Sequence, residues 1–343
     1  MTKKNIAFGF AVAALCAVSA VSAQAKEKLN VLCAADEEWC NLMKSTFEKE
    51  SGVDVSMVRK SSGEIFAHIK AEARNPKVDV WWGGTGDPHL QAAAEDLTTP
   101  YKSEQIDNLL EWAQNQAKQG DYKTVGIYAG ALGIGYNEEL LKEKGLPAPK
   151  CWADLTNPAY KGEIQMANPN SSGTAYTTLA TVVQLFGEEK GFEFLAGLHA
   201  NINQYTKSGS APIKASARGE TTLAITFMHD MVKQVKKGFP IKVVAPCEGT
   251  GYEVGSMSII KGARNLDNAK KFAEFALRPD VQSLAEQAKA YQVPSNSGSS
   301  VPEGAPKLTE IKLINYDFAT YGSSETRKRL LKRWDDEIKS LPR

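Results

Sequence analysis

The stretch Met166–Thr178 reads MANPNSSGTAYTT and joins a short apolar segment to a long helical pattern. The apolar segment, residues 162–167, has the composition of a buried strand. Ser171-Ser172-Gly173-Thr174 then stands where the helix begins. Small residues at the start of a helix leave backbone N–H groups free, and these donors and the helix dipole attract an anion. The stretch therefore predicts a strand–turn–helix unit with an anion-binding turn.

The same succession of strand and helix recurs three times in the N-terminal part of the chain. Buried strands are predicted at Lys28–Ala34 and Val78–Trp82, and an alternating strand is predicted at Val53–Val58. This alternation predicts a mainly parallel sheet with helices on both faces. Ligands of such sheets lie beyond the carboxyl ends of the strands, where the chain has polar loops. These loops are Ala34–Trp39, Lys60–Glu64 and Gly83–Asp87.

Two extended segments are predicted to connect two α/β lobes. One contains two strands, Lys123–Ala129 and Ala131–Asn137, with a glycine between them, and the other lies near Thr250–Ser258. Lobes joined in this way form a hinge with a ligand cleft between them. The predicted boundaries are 26–126 and 254–305 for the first lobe, 127–253 for the second, and 306–343 for C-terminal helices. The basic end of the last segment, Arg327–Arg333, is interpreted as a solvated helix.

The composition is that of an ordinary soluble protein, and the N-terminus has the pattern of an export signal. The 343 residues carry a formal net charge of +1, which gives no bias towards nucleic acid. Residues 1–25 combine two lysines, the apolar run Ile6–Val21 and small residues suited to cleavage, and so predict a cleaved signal peptide. Leu15 directly before Cys16 is too bulky for a lipid-anchoring site.

Four cysteines remain after the predicted signal peptide, an even number that suits an exported protein with disulfides. Cys33 ends a predicted strand and Cys40 lies in the next helix, so a local bridge between them is feasible. This pairing leaves Cys151 to bond with Cys247. Four buried thiols are the alternative, because the sequence alone does not fix connectivity. No C-x-x-C spacing indicates a zinc site.

Several segments together resemble the solute-binding proteins of ABC importers. They are LNVLCA, VDVWWGG, IYAGALGIGYN and CWADLTNPAYKGEIQMANPNSSGTAY. The resemblance covers nearly the whole predicted mature chain and includes ferric-iron, phosphonate, polyamine and sugar-phosphate binders. It implies a type II periplasmic binding fold that closes on a solute in the periplasm. It also implies delivery of the solute to a membrane permease with a cytoplasmic ATPase, and no enzymatic activity.

An anionic group of the solute is predicted to bind at three turns rich in hydroxyl groups. Backbone N–H groups and hydroxyls at helix starts bind phosphate without a counter-charge. Serine and threonine are also ordinary helix N-caps, so each turn alone has a purely structural explanation. The predicted phosphate ligands are Ser61, Ser62, Thr85, Ser171, Ser172, Gly173 and Thr174.

The other end of the solute is predicted to contact His229, Asp230 and Glu253. Carboxylates accept hydrogen bonds from sugar hydroxyls, and histidine donates or accepts. A His-Asp pair with a downstream glutamate resembles the hexose-phosphate-binding members of the family, in which these residues hold the sugar. The predicted ligand is therefore a hexose phosphate such as glucose 6-phosphate. Trp39, Trp81 and Trp82 are further candidates for stacking on a sugar ring, with core packing as the alternative.

Other functions fit the sequence less well. Ferric-binding members of the family use two adjacent tyrosines, and this chain has no Tyr-Tyr pair. A 2-aminoethylphosphonate binder is the remaining alternative within the family. A hydrolase is disfavoured because there is no G-x-S-x-G motif. The prediction is a monomeric binding protein without a cofactor or a metal.

Overall fold

The computed structural model describes residues 1–2 and 27–342. The predicted signal peptide, with Cys16, therefore lies outside the described residues apart from its first two positions. Among the described residues, every helix is too short or too polar to cross a lipid bilayer.

The described residues form strands and helices in alternation along most of the chain. The strands are β1 Lys28–Cys33, β2 Asp54–Arg59, β3 Val80–Trp82, β4 Thr98–Thr99, β5 Val125–Asn137, β6 Ile164–Ala167, β7 Ile202–Thr206, β8 Leu223–Phe227, β9 Ile241–Val244, β10 Tyr252–Ile260 and β11 Val293–Pro294. The α-helices are α1 Glu37–Ser51, α2 Ser62–Ala71, α3 Gly86–Ala94, α4 Glu111–Gln119, α5 Glu138–Glu143, α6 Gly173–Phe186, α7 Glu188–His199, α8 Ala211–Ala217, α9 Met228–Lys236, α10 Leu266–Leu277, α11 Pro279–Gln282, α12 Phe318–Tyr321 and α13 Ser324–Arg333.

The strands form two groups that share β5. In the first group, β2, β1 and β3 are parallel neighbours, as the sequence predicts, and in the second group β6 is parallel to both β7 and β8. All strand pairs that involve β5 or β10 are antiparallel. The prediction of a mainly parallel sheet is therefore wrong for the centre of the molecule, because β5 and β10 cross between the lobes in opposite directions.

The prediction of two strands around Gly130 is also wrong, because β5 is a single strand of 13 residues. Its first part pairs with β10 and β11, and its second part pairs with β8 and β9. Partners on both sides keep the backbone extended through the glycine, although glycine interrupts isolated strands.

Two separate apolar cores support two lobes. The first core contains Trp82 of β3 and Phe272 of α10, whereas the second contains Trp152 and Leu179 of α6. Burial of such large side chains is the main favourable term in the stability of each lobe. The cleft between the two lobes is therefore a boundary between independently packed units.

The C-terminal helix α13 packs into the second lobe, which corrects its interpretation as a solvated helix. Arg327 is only 3% exposed, and its guanidinium lies 3.9 Å from the ring centroid of Tyr176. Leu330 and Trp334 belong to the second core. The run of basic residues predicts a solvated helix, but Arg327 faces inward. Arg329 and Arg333 fit the prediction, since both pair with Glu188 on the surface.

Both predicted disulfides are present. Cys33 bonds to Cys40 across a sequence separation of 7 residues, and Cys151 bonds to Cys247 across 96 residues. The second bridge joins the two ends of the chain segment that builds most of the second lobe.

Candidate functional site

A cavity with about 470 Å³ of empty space lies between the lobes, at the carboxyl ends of β1, β2, β3 and β8. This position is typical of ligand sites in α/β proteins. The wall is formed by Ala34, Ala35, Asp36, Arg59, Ser61, Ser62, Gly84, Thr85, Tyr128, Ser172, Gly173, Thr174, Gly209, Ser210, Phe227, His229, Asp230, Glu253 and Gln292.

The first lobe contributes the N-termini of α2 and α3. Ser61 and Thr85 are the N-cap residues of these helices, and the Thr85 N–H donates to the Ser62 hydroxyl at 3.3 Å. The hydroxyl of Thr85 is buried and has no hydrogen-bond partner among the described residues. The two helix starts therefore place polar groups with unused bonding capacity on one wall of the cavity.

Gly84 allows these two helix starts to approach each other. Its φ is 85°, a left-handed conformation that favours glycine, and its N–H donates to the Tyr128 hydroxyl at 2.7 Å. A Cβ atom at this position would overlap the hydroxyl of Ser62. The glycines of the sequence Gly83-Gly84 thus have a local structural role, which is separate from ligand binding.

The second lobe contributes the N-terminus of α6 on the opposite wall. Ser172 is the N-cap of this helix, and its hydroxyl accepts the Ala175 N–H at 3.4 Å. Gly173 and Thr174 occupy the first two helical positions, whose N–H groups have no partner within a helix. A Cβ atom on Gly173 would overlap the hydroxyl of Thr85, so the two anion-type turns meet across the cleft.

Ser171 is the one predicted phosphate ligand that the structure places outside the cavity wall. Its carbonyl oxygen accepts the N–H of Gly63 from the first lobe at 3.1 Å, and its hydroxyl donates to the Lys207 carbonyl at 3.2 Å. The residue therefore lies in the contact between the lobes. The other predicted phosphate ligands all line the cavity.

Arg59 adds a fixed positive charge that the sequence reasoning missed. It ends β2, directly before the serine turn, and its Nε donates to the Ala35 carbonyl at 3.2 Å. One terminal nitrogen donates to the Ser208 hydroxyl of the second lobe at 3.1 Å. An arginine at the carboxyl end of a strand and next to an anion-type turn is a signal that could have identified it.

The three residues predicted to contact a sugar lie together in the cavity wall. His229 and Asp230 are in the first turn of α9, directly after β8, and Glu253 is in β10. The Nε2 atom of His229 is 3.8 Å from a Glu253 oxygen and 3.9 Å from an Asp230 oxygen. These distances exceed those of direct hydrogen bonds, so the three groups retain bonding capacity for a ligand.

Burial determines the protonation of these groups. It raises the pKa of Asp230 to about 7, with a further contribution from the charge of Asp36. Burial also raises the pKa of Glu253 well above its usual range, and it lowers that of His229 to about 3. Burial therefore favours a neutral imidazole and neutral carboxyl groups in this wall, which can then both donate and accept hydrogen bonds.

Asp36 is the third carboxylate of the wall, and its environment is different. Burial opposes its ionisation, but Lys214 and Lys233 outweigh this effect and hold the pKa of Asp36 well below its usual range. The cavity therefore combines one ionised carboxylate with two carboxyl groups that favour the neutral form.

The candidate tryptophans pack in the protein interior and do not line the cavity. Trp39 and Trp82 belong to the first core, and Trp81 stacks on His89 at a centroid distance of 3.7 Å. Besides Arg59, sequence reasoning did not identify Asp36, Tyr128 and Gln292 as ligand candidates, although all three line the cavity. Their roles depend on contacts between distant parts of the chain, for which no short motif exists.

Comparison with known proteins identifies the family. The family described as bacterial extracellular solute-binding protein matches residues 75–320. An uncharacterized protein of Haemophilus influenzae is 46% identical over 343 residues, which is 99% of each chain. A putative 2-aminoethylphosphonate-binding periplasmic protein of Salmonella typhimurium is 25% identical over 262 residues, or 74% of this chain and 73% of that protein.

A solved structure matches the fold in detail. The periplasmic binding protein AfuA from Actinobacillus pleuropneumoniae, with exogenous fructose-6-phosphate bound, is 47% identical and superposes with a TM-score of 0.90. The match covers 92% of this chain and 100% of that one. It confirms the predicted type II periplasmic binding fold with two lobes. Proteins of this family bind solutes and are not enzymes. The chain thus belongs to the bacterial extracellular solute-binding proteins, as the periplasmic binding component of an ABC transporter.

Proposed function

We propose that this protein captures hexose phosphates, such as glucose 6-phosphate, for import. The observation that carries the proposal is the cavity itself, whose wall combines two kinds of chemical group. Its wall contains helix N-termini and Arg59, and it also contains His229, Asp230 and Glu253. A phosphorylated sugar has the matching pair of groups, an anion and a set of neutral hydroxyls.

The phosphate is proposed to bind Ser61, Ser62 and Thr85 of the first lobe. On the second lobe it contacts Ser172, Gly173 and Thr174, with Ser171 supporting the turn from behind. N–H groups at helix starts stabilise an anion through direct hydrogen bonds and through the helix dipole. Arg59 adds a positive charge to the same cavity wall. Because the ligands come from both lobes, the phosphate would favour the closed arrangement.

The sugar hydroxyls are proposed to lie between His229, Asp230 and Glu253. A protonated carboxyl group donates one hydrogen bond and accepts others, so it suits a hydroxyl, which also does both. The neutral state of this wall therefore favours a polyol. The AfuA structure contains fructose-6-phosphate in a related protein, which supports the same class.

A second candidate is 2-aminoethylphosphonate. The Salmonella relative bears that ligand in its name, and an ammonium group would find the acidic residues Asp230 and Glu253 in this cavity. Binding of an ammonium group would require these buried carboxyl groups to be ionised, whereas burial raises their pKa and favours the neutral form. This cost makes the second candidate the weaker one.

Isothermal titration calorimetry with four ligands distinguishes the candidates. The purified protein is titrated with glucose 6-phosphate, inorganic phosphate, 2-aminoethylphosphonate and Fe(III). We expect the tightest binding for the sugar phosphate. Strong binding of the phosphonate with none of the sugar phosphate would favour the second candidate. Turnover of glucose 6-phosphate during the titration would contradict a role in binding alone.

Replacing His229 by alanine is expected to weaken the binding of glucose 6-phosphate about 5- to 150-fold, since the loss of a buried polar partner costs about 1–3 kcal/mol. Binding of inorganic phosphate should change less than about 2-fold, because phosphate is proposed to contact the serine and threonine turns and not His229. His68→Ala is the control, since this histidine lies on α2 outside the cavity. Equal losses for both ligands would place His229 at the phosphate end.

The lobe boundaries remain those proposed from the sequence: 26–126 with 254–305, and 127–253. Residues 306–343 form the C-terminal part, from which Leu330 and Trp334 join the second core. We propose that the protein acts as a monomer. Its proposed partners are the permease and ATPase of the importer.

A further inference from the structure

An ion-pair cluster joins the two lobes beside the cavity. Asp36 lies between β1 and α1 in the first lobe, whereas Lys214 is in α8 and Lys233 in α9 of the second. The Nζ atom of Lys233 is 2.7 Å from one oxygen of Asp36, and that of Lys214 is 3.2 Å from the other. Lys233 also lies 3.1 Å from a carboxylate oxygen of Glu38. Every ion pair in this cluster crosses the cleft.

Lys233 is unusual among these groups because its side chain is only 4% exposed. A lysine is almost never this buried unless it is paired, since loss of hydration is costly. Both of its carboxylate partners, Asp36 and Glu38, belong to the other lobe. The burial of its charge is therefore compensated only while the lobes are together. Opening would hydrate Lys233 and Asp36 and would separate the pairs.

The same helix connects this cluster to the ligand-binding wall. His229 and Asp230 occupy the first turn of α9, and Lys233 follows one turn later on that helix. Asp36 itself lines the cavity, and the Ser210 hydroxyl donates to it at 3.3 Å. A contact that holds Lys233 against the first lobe thus also holds α9 over the captured solute.

We propose that Lys233 is a positioning residue, which with Lys214 and Asp36 forms an ionic latch that sets how long the closed protein retains its solute. The latch acts after the solute has entered, because its partners meet only on closure. It should therefore slow dissociation and have little effect on association. The inference rests on capture by lobe closure, the mode of binding in the proposed function, but it does not depend on which phosphorylated solute is bound.

The test is stopped-flow measurement of association and dissociation for Lys233→Met, which removes the charge and keeps most of the aliphatic chain. We expect the dissociation rate of glucose 6-phosphate to rise about 10-fold and the association rate to stay within about 2-fold. Lys233→Arg should restore most of the retention, because it restores the cation. Lys236→Met is the matched control: it lies on the same helix, with a side chain 42% exposed and a long pair to Glu303.

A double-mutant cycle with Asp36→Asn separates a latch from general damage. If the two residues act together, the fold-increase in dissociation rate of the double variant should be well below the product of the fold-increases of the two single variants. Dissociation from Lys233→Met within 2-fold of wild type, or no different from Lys236→Met, would overturn the proposal. So would an equal loss in association, or independent effects in the cycle.

Inorganic phosphate serves as a second probe in the same experiment. If the wild type binds phosphate but not glucose 6-phosphate, the proposed substrate is wrong, and the comparison of dissociation rates still tests the latch. If glucose 6-phosphate binds and the variants release it at the wild-type rate, the latch is wrong and the substrate stands.

Discussion

Gly63→Ala is expected to lower the affinity for glucose 6-phosphate by at least about 100-fold, or about 2.7 kcal/mol. A Cβ atom on Gly63 would lie 2.5 Å from the carbonyl oxygen of Asn170 and 2.8 Å from that of Ser171. Both oxygens belong to the backbone of the other lobe, so neither can move aside as a side chain would. The methyl group would therefore keep the lobes apart at the anion-binding turns.

The fold of each lobe should survive this substitution. Gly63 lies in the first turn of α2 with an ordinary negative φ, and alanine favours helix more than glycine does. Calorimetry gives the affinity, and chemical denaturation gives the stability of the solute-free protein. Gly197→Ala in α7 is the control, since its nearest new neighbour is a side-chain methyl of Thr156 at 3.1 Å. Normal affinity in Gly63→Ala would show that closure does not need this backbone contact.

Asp230→Asn should change stability and binding in opposite directions at neutral pH. Burial raises the pKa of Asp230 from 3.8 to about 7, so the native state holds a proton that the unfolded chain releases. The free energy of unfolding of the wild type therefore falls as the pH rises from about 4 to about 7. The asparagine side chain does not titrate, so the free energy of unfolding of the variant does not fall for this reason. The free energy of unfolding of the variant minus that of the wild type should therefore increase by about 2–4 kcal/mol between about pH 4 and about pH 7.

Chemical denaturation of the solute-free proteins at pH 4.5 and pH 7.5 measures this difference. The same variant should bind glucose 6-phosphate at least about 10-fold more weakly, because the amide nitrogen only donates hydrogen bonds, whereas both oxygens of the carboxyl group accept them. Asp107→Asn, on an exposed turn, is the control for the removal of a carboxylate. A stability difference that is the same at both pH values would mean that Asp230 is not protonated in the native protein.

The parts of the fold that the sequence predicts are those that depend on neighbours along the chain. Strands β1 and β2 contain apolar residues, and each is followed by a clear helical pattern. The predicted bounds of both strands agree with the structure to within a residue or two. β5 was divided wrongly because Gly130 interrupts an isolated strand, whereas pairing with β10 and β8 overrides this local preference. Partners so distant in sequence leave no trace in a local pattern.

The same distinction applies to the candidate site. Ser172 and Gly173 could be predicted because helix starts have a local signature. Asp36 could not, because its lysines lie 178 and 197 residues away in the chain. The burial of Arg327 could not be predicted for a related reason, since a run of basic residues does not show which of them packs against the ring of Tyr176. Local chemistry thus predicts the anion end, and only the folded chain reveals what surrounds it.

The disulfide between Cys151 and Cys247 has a mechanical consequence for this protein. β5 enters the second lobe before Cys151, and β10 leaves it after Cys247, so the covalent loop closes between the two crossing strands. Tension applied along the chain would pass through the bridge and bypass the residues inside the loop. In single-molecule stretching, the oxidised protein should therefore extend less than the reduced protein by roughly 300–350 Å, the length of the protected segment. The residues between Cys151 and Cys247 would not extend until the bridge is reduced.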